Sequence, residues 1–371
     1  MNYSIVIIAR NESKTLPRLI NSIAPFMAAG GKVFLTDTGS TDDTVEVAKK
    51  LGCIVTEKKF DIFLTKEEAE IIPGASEGDR VFDFSAARNW ASEQADTDWV
   101  HVMPCDEEWP TYEYALIDSC INEELYGMYC RINYHLHEGI PTVTLRHNTI
   151  YNKKKMKWEG MVHELLVSRD HTEPVFRDLP IVSNHYKNME TDRSHYLTGL
   201  AYDCMIRKNS NLRNQFYLGR ELVYNQLYSD AIQFLKHVGE NETYIHQKSE
   251  AYILKGICYM QMGEADLAIR DWATAVTIDP RRREPAMRLS NYYYQSGDAH
   301  RSLFWASAAL TIKGLPDYIV DTACYGAQPY KIIYWAAWQL GDIALSTEAF
   351  KKAYELDPND PQIQREKEFY L

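Results

Sequence analysis

The first hundred residues alternate short apolar runs with amphipathic ones. Ser4-Ile5-Val6-Ile7-Ile8-Ala9 is a continuous apolar run of strand length, ended by the polar Arg10-Asn11-Glu12. A helix follows, with Leu16, Leu19, Ile20 and Ile23 on one face. Pro17 fits only near its first turn. A second strand over 32–36 runs into Asp37-Thr38-Gly39-Ser40-Thr41-Asp42-Asp43-Thr44. Ser40 or Thr41 is expected to cap a helix there, with Val45, Ala48 and Leu51 as its apolar face. Gly52 ends that helix, and a third strand spans 53–57. Strand–helix–strand repeats with short connections predict a parallel, doubly wound sheet.

The rhythm breaks at 61–82, a polar stretch holding Pro73, Gly74 and Gly78. It reads as an inserted surface loop over the sheet edge. Asp83-Phe84-Ser85-Ala86-Ala87-Arg88-Asn89 then opens another helix. An apolar strand over 98–103 delivers Pro104-Cys105-Asp106-Glu107 at its C-terminal end. Between about 125 and 187 the strands are shorter: 126–131, 142–146, 163–167 and 181–185. They predict a mixed or antiparallel extension of the sheet. From about 195 onward the pattern is helical only.

That helical half repeats. Gly256, Tyr259, Gly263, Ala268, Trp272, Ala275 and Pro280 return 34 residues on as Ser290, Tyr293, Gly297, Ser302, Ala306, Ala309 and Gly314. A later copy is Tyr334, Ala337, Gly341, Ser346, Phe350, Ala353 and Pro358, set off by a ten-residue excess around 316–328. A weaker early copy holds Gly219, Leu222, Ala231 and Leu235. Small residues at fixed points let two helices approach, aromatics fill the gaps, and proline ends the second helix. This resembles the tetratricopeptide repeat. Two domains are expected, an α/β domain over 1–195 and about four helical hairpins over 196–371.

Composition narrows the function classes. With 45% hydrophobic and 25% charged residues the chain reads as globular. A net charge of −12 removes any general attraction to nucleic acid or anionic membrane, leaving Lys153, Lys154, Lys155 and Lys157 as a local basic patch. Seven cysteines with no C-x-x-C spacing argue against a disulfide framework. They fit a reducing cytoplasm with mostly buried thiols. The run at 4–9 is too short for a signal peptide, and no window of about 18 apolar residues suggests a membrane span.

Candidate chemistry gathers at the strand ends. Asp37 and Gly39-Ser40 suit a nucleobase imide or ribose hydroxyl, and equally an ordinary strand-to-helix turn. Ala9, Arg10, Asn11 and Glu12 project toward the same crevice, where Arg10 could meet a phosphate or form a surface salt bridge. Arg88 and Asn89, in the first turn of a helix, suit an anion, or Arg88 pairs with Asp83 or Glu93. Asp106, Glu107 and Glu108 crowd three acids after a strand and suit a divalent cation shared with substrate phosphates. In Trp158-Glu159-Gly160-Met161-Val162-His163-Glu164, His163 could complete such a site. Glu164 or Glu159 could act as a general base. His185 is a second histidine at a strand end.

Taken in order, these segments resemble a family-2 glycosyltransferase with the GT-A fold, over roughly residues 3–190. The chain also resembles the subgroup that carries C-terminal tetratricopeptide repeats, joined by a segment like Phe216-Tyr217-Leu218-Gly219-Arg220-Glu221. The resemblance implies inverting transfer from a nucleotide sugar, most often UDP-linked, assisted by Mn²⁺ or Mg²⁺. It implies base binding by Asp37, and nucleotide and diphosphate contacts by Arg10, Asn11 and Arg88. Asp106 would hold the cation as the second acid of D-x-D, with Cys105 between the two acid positions. His163 would lie near the metal and Glu164 near the acceptor. Pro104 stands where the family has the first Asp, which leaves open a transferase-like scaffold or binding protein. A peptide, a glycan or a modified nucleobase would serve as acceptor. The repeats would bind that acceptor or a protein partner, or pair two copies.

Overall fold

The computed structural model describes residues 1–137, 140–186, 195–314 and 321–370. The chain divides into two compact units, Met1–Lys208 and Asn209–Leu371.

The strands of the first unit are β1 (Tyr3–Ala9), β2 (Val33–Asp37), β3 (Ile54–Glu57), β4 (Asp61–Phe63), β5 (Arg80–Phe82), β6 (Trp99–Val102), β7 (Glu107–Glu108), β8 (Gly127–His137), β9 (Ile140–Asn152), β10 (Met156–Glu159), β11 (Leu165–Ser168) and β12 (Phe176–His185). Eight of them form one sheet in the order β3-β2-β1-β6-β9-β8-β12-β7. β1, β2, β3 and β6 run parallel, Ala9 facing Asp37 and Val6 facing Val102 in register. β9 turns the sheet antiparallel against β6 and β8, and β12 runs parallel to β8. The mixed extension expected from 125 to 187 is this second half.

β1 is buried along nearly its whole length, and apolar from Ile5 to Ala9, because both its faces are covered. Ile5 and Ile7 join Leu16, Leu19, Ile23 and Phe26 in one core, while Val6 packs with Val100, Val102 and Tyr151 in another. The first helix, Leu16–Ser22, carries Pro17 in its first turn. The next major helix, Thr44–Lys50, begins later than a Ser40 or Thr41 cap would allow, because Ser40 is drawn into the turn of Asp37.

Residues 61–82 are more than a loop. β4 and β5 pair antiparallel around a helix, Lys66–Ile71, which Thr65 and Glu68 start with a reciprocal capping box. Capping of so short a helix leaves no apolar periodicity to detect. The first unit also runs past 195. The helix His195–Ala201 sets Gly199 against Val162, so closely that a methyl group there would lie 2.6 Å from it.

The second unit is built of helical hairpins: Leu212–Tyr224 with Tyr228–Asn241, Ile245–Gln261 with Ala265–Ile278, Glu284–Gln295 with Ala299–Thr311, and Gln328–Gln339 with Ile343–Leu356. Pro361–Tyr370 packs on the last. The repeated small residues sit where helices touch. A Cβ at Gly256 would fall 2.4 Å from the indole of Trp272, whose Nε1 donates to the Ile253 carbonyl at 3.2 Å. Serine does the same work in the next hairpin, Ser290 and Ser302 donating to each other's carbonyls at 3.0 and 3.2 Å. Gly263, Gly297 and Gly341 turn the last three hairpins at φ near +80°, where a side chain is strained, and Gln226 at φ 61° turns the first. Part of the ten-residue excess, 315–320, lies outside the described residues.

All seven cysteines are buried with free thiols. No described helix is long and apolar enough to cross a membrane.

Candidate active site

The sheet order changes direction between β1 and β6: β1 leads to β2 on one side, while β6 lies on the other. Outside the carboxyl ends of such strands an open α/β sheet leaves a crevice. Here it is a cleft of about 320 Å³ bordered by Ala9, Arg10 and Glu12 after β1, Thr38 after β2, and Asp106 after β6. Arg80, Phe82, Phe84 and Tyr196 close it from other segments.

The three consecutive acids do not crowd. Asp106 opens to the cleft, and its Oδ2 lies 3.0 Å from His185 Nε2. Glu107 turns inward and is 2% exposed, and burial pushes its carboxyl up to about 7. Glu108 bonds the hydroxyl of Tyr186. Alternation along β7, pinned by antiparallel pairing to β12, separates them. A second carboxylate reaches the cleft from elsewhere. Glu12 borders it, and burial raises its carboxyl above the usual range while the Thr15 hydroxyl and neighbouring charges modify the shift.

His163 is not on a strand. It sits at φ 55° in the turn between β10 and β11, its ring 5.5 Å from that of Tyr196. The histidine beside Asp106 is His185, so the expected pairing of Asp106 with His163 changes partner. Asp106 and His185 offer an oxygen and a nitrogen donor, with Glu12 bordering the same cleft. That set fits Mn²⁺ or Mg²⁺, ions that take few protein ligands and complete their shell with substrate phosphates. Among the described residues no three His, Cys, Asp or Glu side chains converge into a cage.

Other expected ligand contacts are engaged within the protein. Asp37 is 4% exposed and accepts from the N–H groups of Gly39 at 3.0 Å and Ser40 at 3.1 Å, and from the Ser40 hydroxyl. Asn11, at φ 58°, donates through its N–H to Ser40 Oγ at 2.9 Å and accepts from the Thr41 N–H at 2.7 Å. These bonds zip the β1 and β2 loops together. The Asn89 amide pairs both ways with the Trp158 backbone at 2.8 Å, tying the helix Phe84–Gln94 to β10. Cys105 is buried against the Ile8 carbonyl, 3.8 Å away. Arg88 does not pair with Asp83 or Glu93. Its Nε donates to Glu164 at 2.5 Å, and its guanidinium lies 5.1 Å over the Trp158 ring. Glu159 instead pairs with Lys157.

The basic patch also dissolves. Lys153 is buried and donates to the Ser92 and Ala95 carbonyls at 3.1 and 2.6 Å, closing the C-terminal end of a helix. Lys154 pairs with Asp98 at 2.7 Å.

Residues 4–64 match the model of glycosyl transferase family 2, and residues 249–282 and 335–360 match the tetratricopeptide repeat. The chain carries a glycosyl transferase family 2 domain followed by tetratricopeptide repeats. It is similar to the SPbeta prophage-derived glycosyltransferase SunS of Bacillus subtilis (strain 168), 23% identical over 237 residues that cover 62% of this chain and 51% of that protein. Glycosyltransferase SunS of Bacillus phage SPbeta matches with the same figures. The chain spans about half the length of the curated relatives it matches. Among solved structures, MamA protein is 20% identical at a TM-score of 0.35, covering 47% of this chain and 85% of its own.

In the first unit, Arg80, Phe82, Asp61 and Tyr196 border or brace the cleft without having stood out in the sequence. The first three belong to the segment that reads as a loop, and Tyr196 lies in a helix packed back from beyond β12. Thr38, inside the Asp-Thr-Gly-Ser motif, binds the Ala9 carbonyl through both N–H and hydroxyl, at 2.9 and 3.1 Å.

Proposed function

We propose that this chain is an inverting glycosyltransferase that moves a sugar from a nucleoside-diphosphate sugar, UDP-linked in the first instance, to an acceptor nucleophile. The observation that carries the reading is the cleft at the β1/β6 switch point, bordered by Asp106, in a chain with a family 2 match. A leaving diphosphate develops charge as the glycosidic bond breaks, and a site for it needs positive charge and a shaped polar wall. Arg10 and Arg80 border that wall. Asp106 and His185 would hold a divalent cation, which when bound supplies Lewis-acid stabilisation of the leaving diphosphate. Pro104 removes one acid at the strand end, and Glu12 offers a carboxylate to the same cleft.

Glu164, oriented by Arg88, takes the proton of the acceptor as the new bond forms. The acceptor attacks the anomeric carbon, the bond to the diphosphate breaks, and the configuration inverts in a single displacement. A peptide acceptor is the first to test, because repeat arrays present extended surfaces to peptides and partner proteins. The reading also places the enzyme in the cytoplasm, with its cysteines reduced.

Incubation of the purified chain with a panel of sugar nucleotides and Mn²⁺, followed by mass spectrometry, tests the reading. Slow hydrolysis of one donor, abolished by Asp106→Ala, is the expected result. Absence of turnover with every donor, together with absence of binding to any nucleoside diphosphate, would sink it.

A further inference from the structure

The segment 61–82 sits outside the strand–helix alternation of the sheet, yet it supplies part of the cleft wall. Asp61 begins β4 and Arg80 begins β5, and the two strands pair antiparallel. Arg10 Nη1 donates to both Asp61 oxygens, at 2.8 and 3.0 Å, and Arg80 Nε lies 3.7 Å from Asp61 Oδ1. The carboxylate is 6% exposed, whereas the side chains of Arg10 and Arg80 are 31% and 43% exposed and border the cleft. One buried acid thus braces two guanidinium groups that remain open to a ligand. Lys59 adds to this side. A Cβ on Gly39 would lie 3.4 Å from Lys59 Cε and 3.8 Å from Arg10 Nη2, so the glycine leaves room for both cationic side chains over the β2 turn.

We infer that Arg10 and Arg80, held by Asp61, form an anion clamp for the diphosphate of the donor, with the inserted ribbon β4–β5 as part of the donor site. The inference rests on the donor-site reading above and extends it. Two arginines against one carboxylate leave a net positive charge, and guanidinium forks match phosphate oxygens in pairs. Arg88, the other arginine expected at the diphosphate, is committed to Glu164. Glu12 and Asp106 face the same cleft, so the anion sits at its arginine side and meets the carboxylates through a divalent cation. Asp61 is a positioning residue: it aims the arginines and does not touch the ligand.

Calorimetric titration of the whole chain with uridine, UDP, GDP and inorganic pyrophosphate tests this, with EDTA and again with Mn²⁺. Arg80→Ala is expected to weaken UDP and pyrophosphate roughly tenfold or more in both conditions, while uridine binding is unchanged. Arg80→Lys is expected to fall between the two, and Asp61→Asn to weaken the same ligands, with Asp61→Glu restoring part of the loss. Salt should weaken pyrophosphate binding less steeply in Arg80→Ala than in the parent, because one ionic contact is gone. Circular dichroism establishes that each variant is folded. If a folded Arg80→Ala binds UDP as tightly as the parent, or loses uridine and UDP equally, the clamp is wrong while the donor reading stands. If the parent binds none of the four ligands, both fall.

Discussion

Arg88 Nε donates to Glu164 Oε1 at 2.5 Å, joining the first turns of a helix to the turn before β11 across 76 residues of chain. Both side chains are largely buried, at 17% and 12% exposure. Removing Arg88 strands a carboxylate in a poorly hydrated place. Arg88→Ala is expected to lower stability by about 3 kcal/mol, whereas the double variant Arg88→Ala/Glu164→Ala recovers part of that loss. Urea unfolding of the three proteins reads the coupling directly.

Glu164→Gln keeps the shape and a hydrogen-bonding oxygen toward Arg88 but cannot take a proton. Turnover of the best donor and acceptor pair is expected to fall about 100-fold or more, with the donor KM little changed. Donor hydrolysis by water should suffer less than transfer. Steady-state kinetics on both reactions separates the two.

Asp106→Asn retains the polar contact with His185 and loses the charge. The expected outcome is a loss of Mn²⁺ binding, read by electron paramagnetic resonance, together with a fall of about 100-fold in kcat. His185→Ala should weaken Mn²⁺ less, because the carboxylate remains. Equal Mn²⁺ affinity in the parent and Asp106→Asn would remove Asp106 from the cation site.

Glu107 gives a pH signature. Burial pushes its carboxyl from an ordinary 4.5 up to about 7, so the folded chain holds a proton that the unfolded chain releases. Its burial therefore does not penalise folding below pH 4.5. The penalty grows as pH rises from 4.5 toward 7 and is complete above 7, at about 3 kcal/mol. Glu107→Gln is expected to be more stable than the parent at pH 8, with the advantage vanishing near pH 4. The comparison at matched pH cancels the opposite effect of His101 and His147, which burial lowers to about 3 and about 4. Those two favour folding above pH 6.5, and their contribution is lost as the solution is acidified.

In the helical unit, Gly256→Ala drives a methyl group into the Trp272 indole, 2.4 Å away. A loss of about 1–3 kcal/mol is expected, seen as an earlier unfolding transition of that unit by calorimetry. Gly263→Ala meets open space, and its expected loss of about 1 kcal/mol comes from the positive φ alone.

The elements most legible in the sequence were those whose pattern is local. β1 declared itself as an unbroken apolar run because both its faces are covered. The repeats did so because close helix approach demands small residues at fixed points, as at Gly256 and Ser290. The candidate site was legible as a place, at the ends of β1, β2 and β6, but less so as a set of contacts. Asp37, Asn11 and Asn89 are polar residues at strand and helix ends. Such residues satisfy backbone groups as readily as ligands, and here they bind the turn, the neighbouring loop and the Trp158 backbone. His185 replaced His163 beside Asp106 because the partner was decided by a two-residue pairing of β7 with β12, which leaves no periodicity to follow. Arg80 was hidden for a similar reason, in a ribbon of two short strands.

The contact of Asp106 with His185 spans 79 residues of chain. Everything between them, from β7 through the long β8–β9 pair to β12, has to be in place before the two meet. Contacts of such long separation are closed late, after local ones have formed. The parallel strands β1, β2, β3 and β6 use residues up to 102 only, and the ends of the crevice are already drawn there. The Asp106–His185 pair, proposed above to hold the cation, is thus a checkpoint on assembly. It comes together only in a chain whose far sheet edge has docked, so a nascent or truncated domain that stops short of β12 has a crevice without the histidine beside its acid.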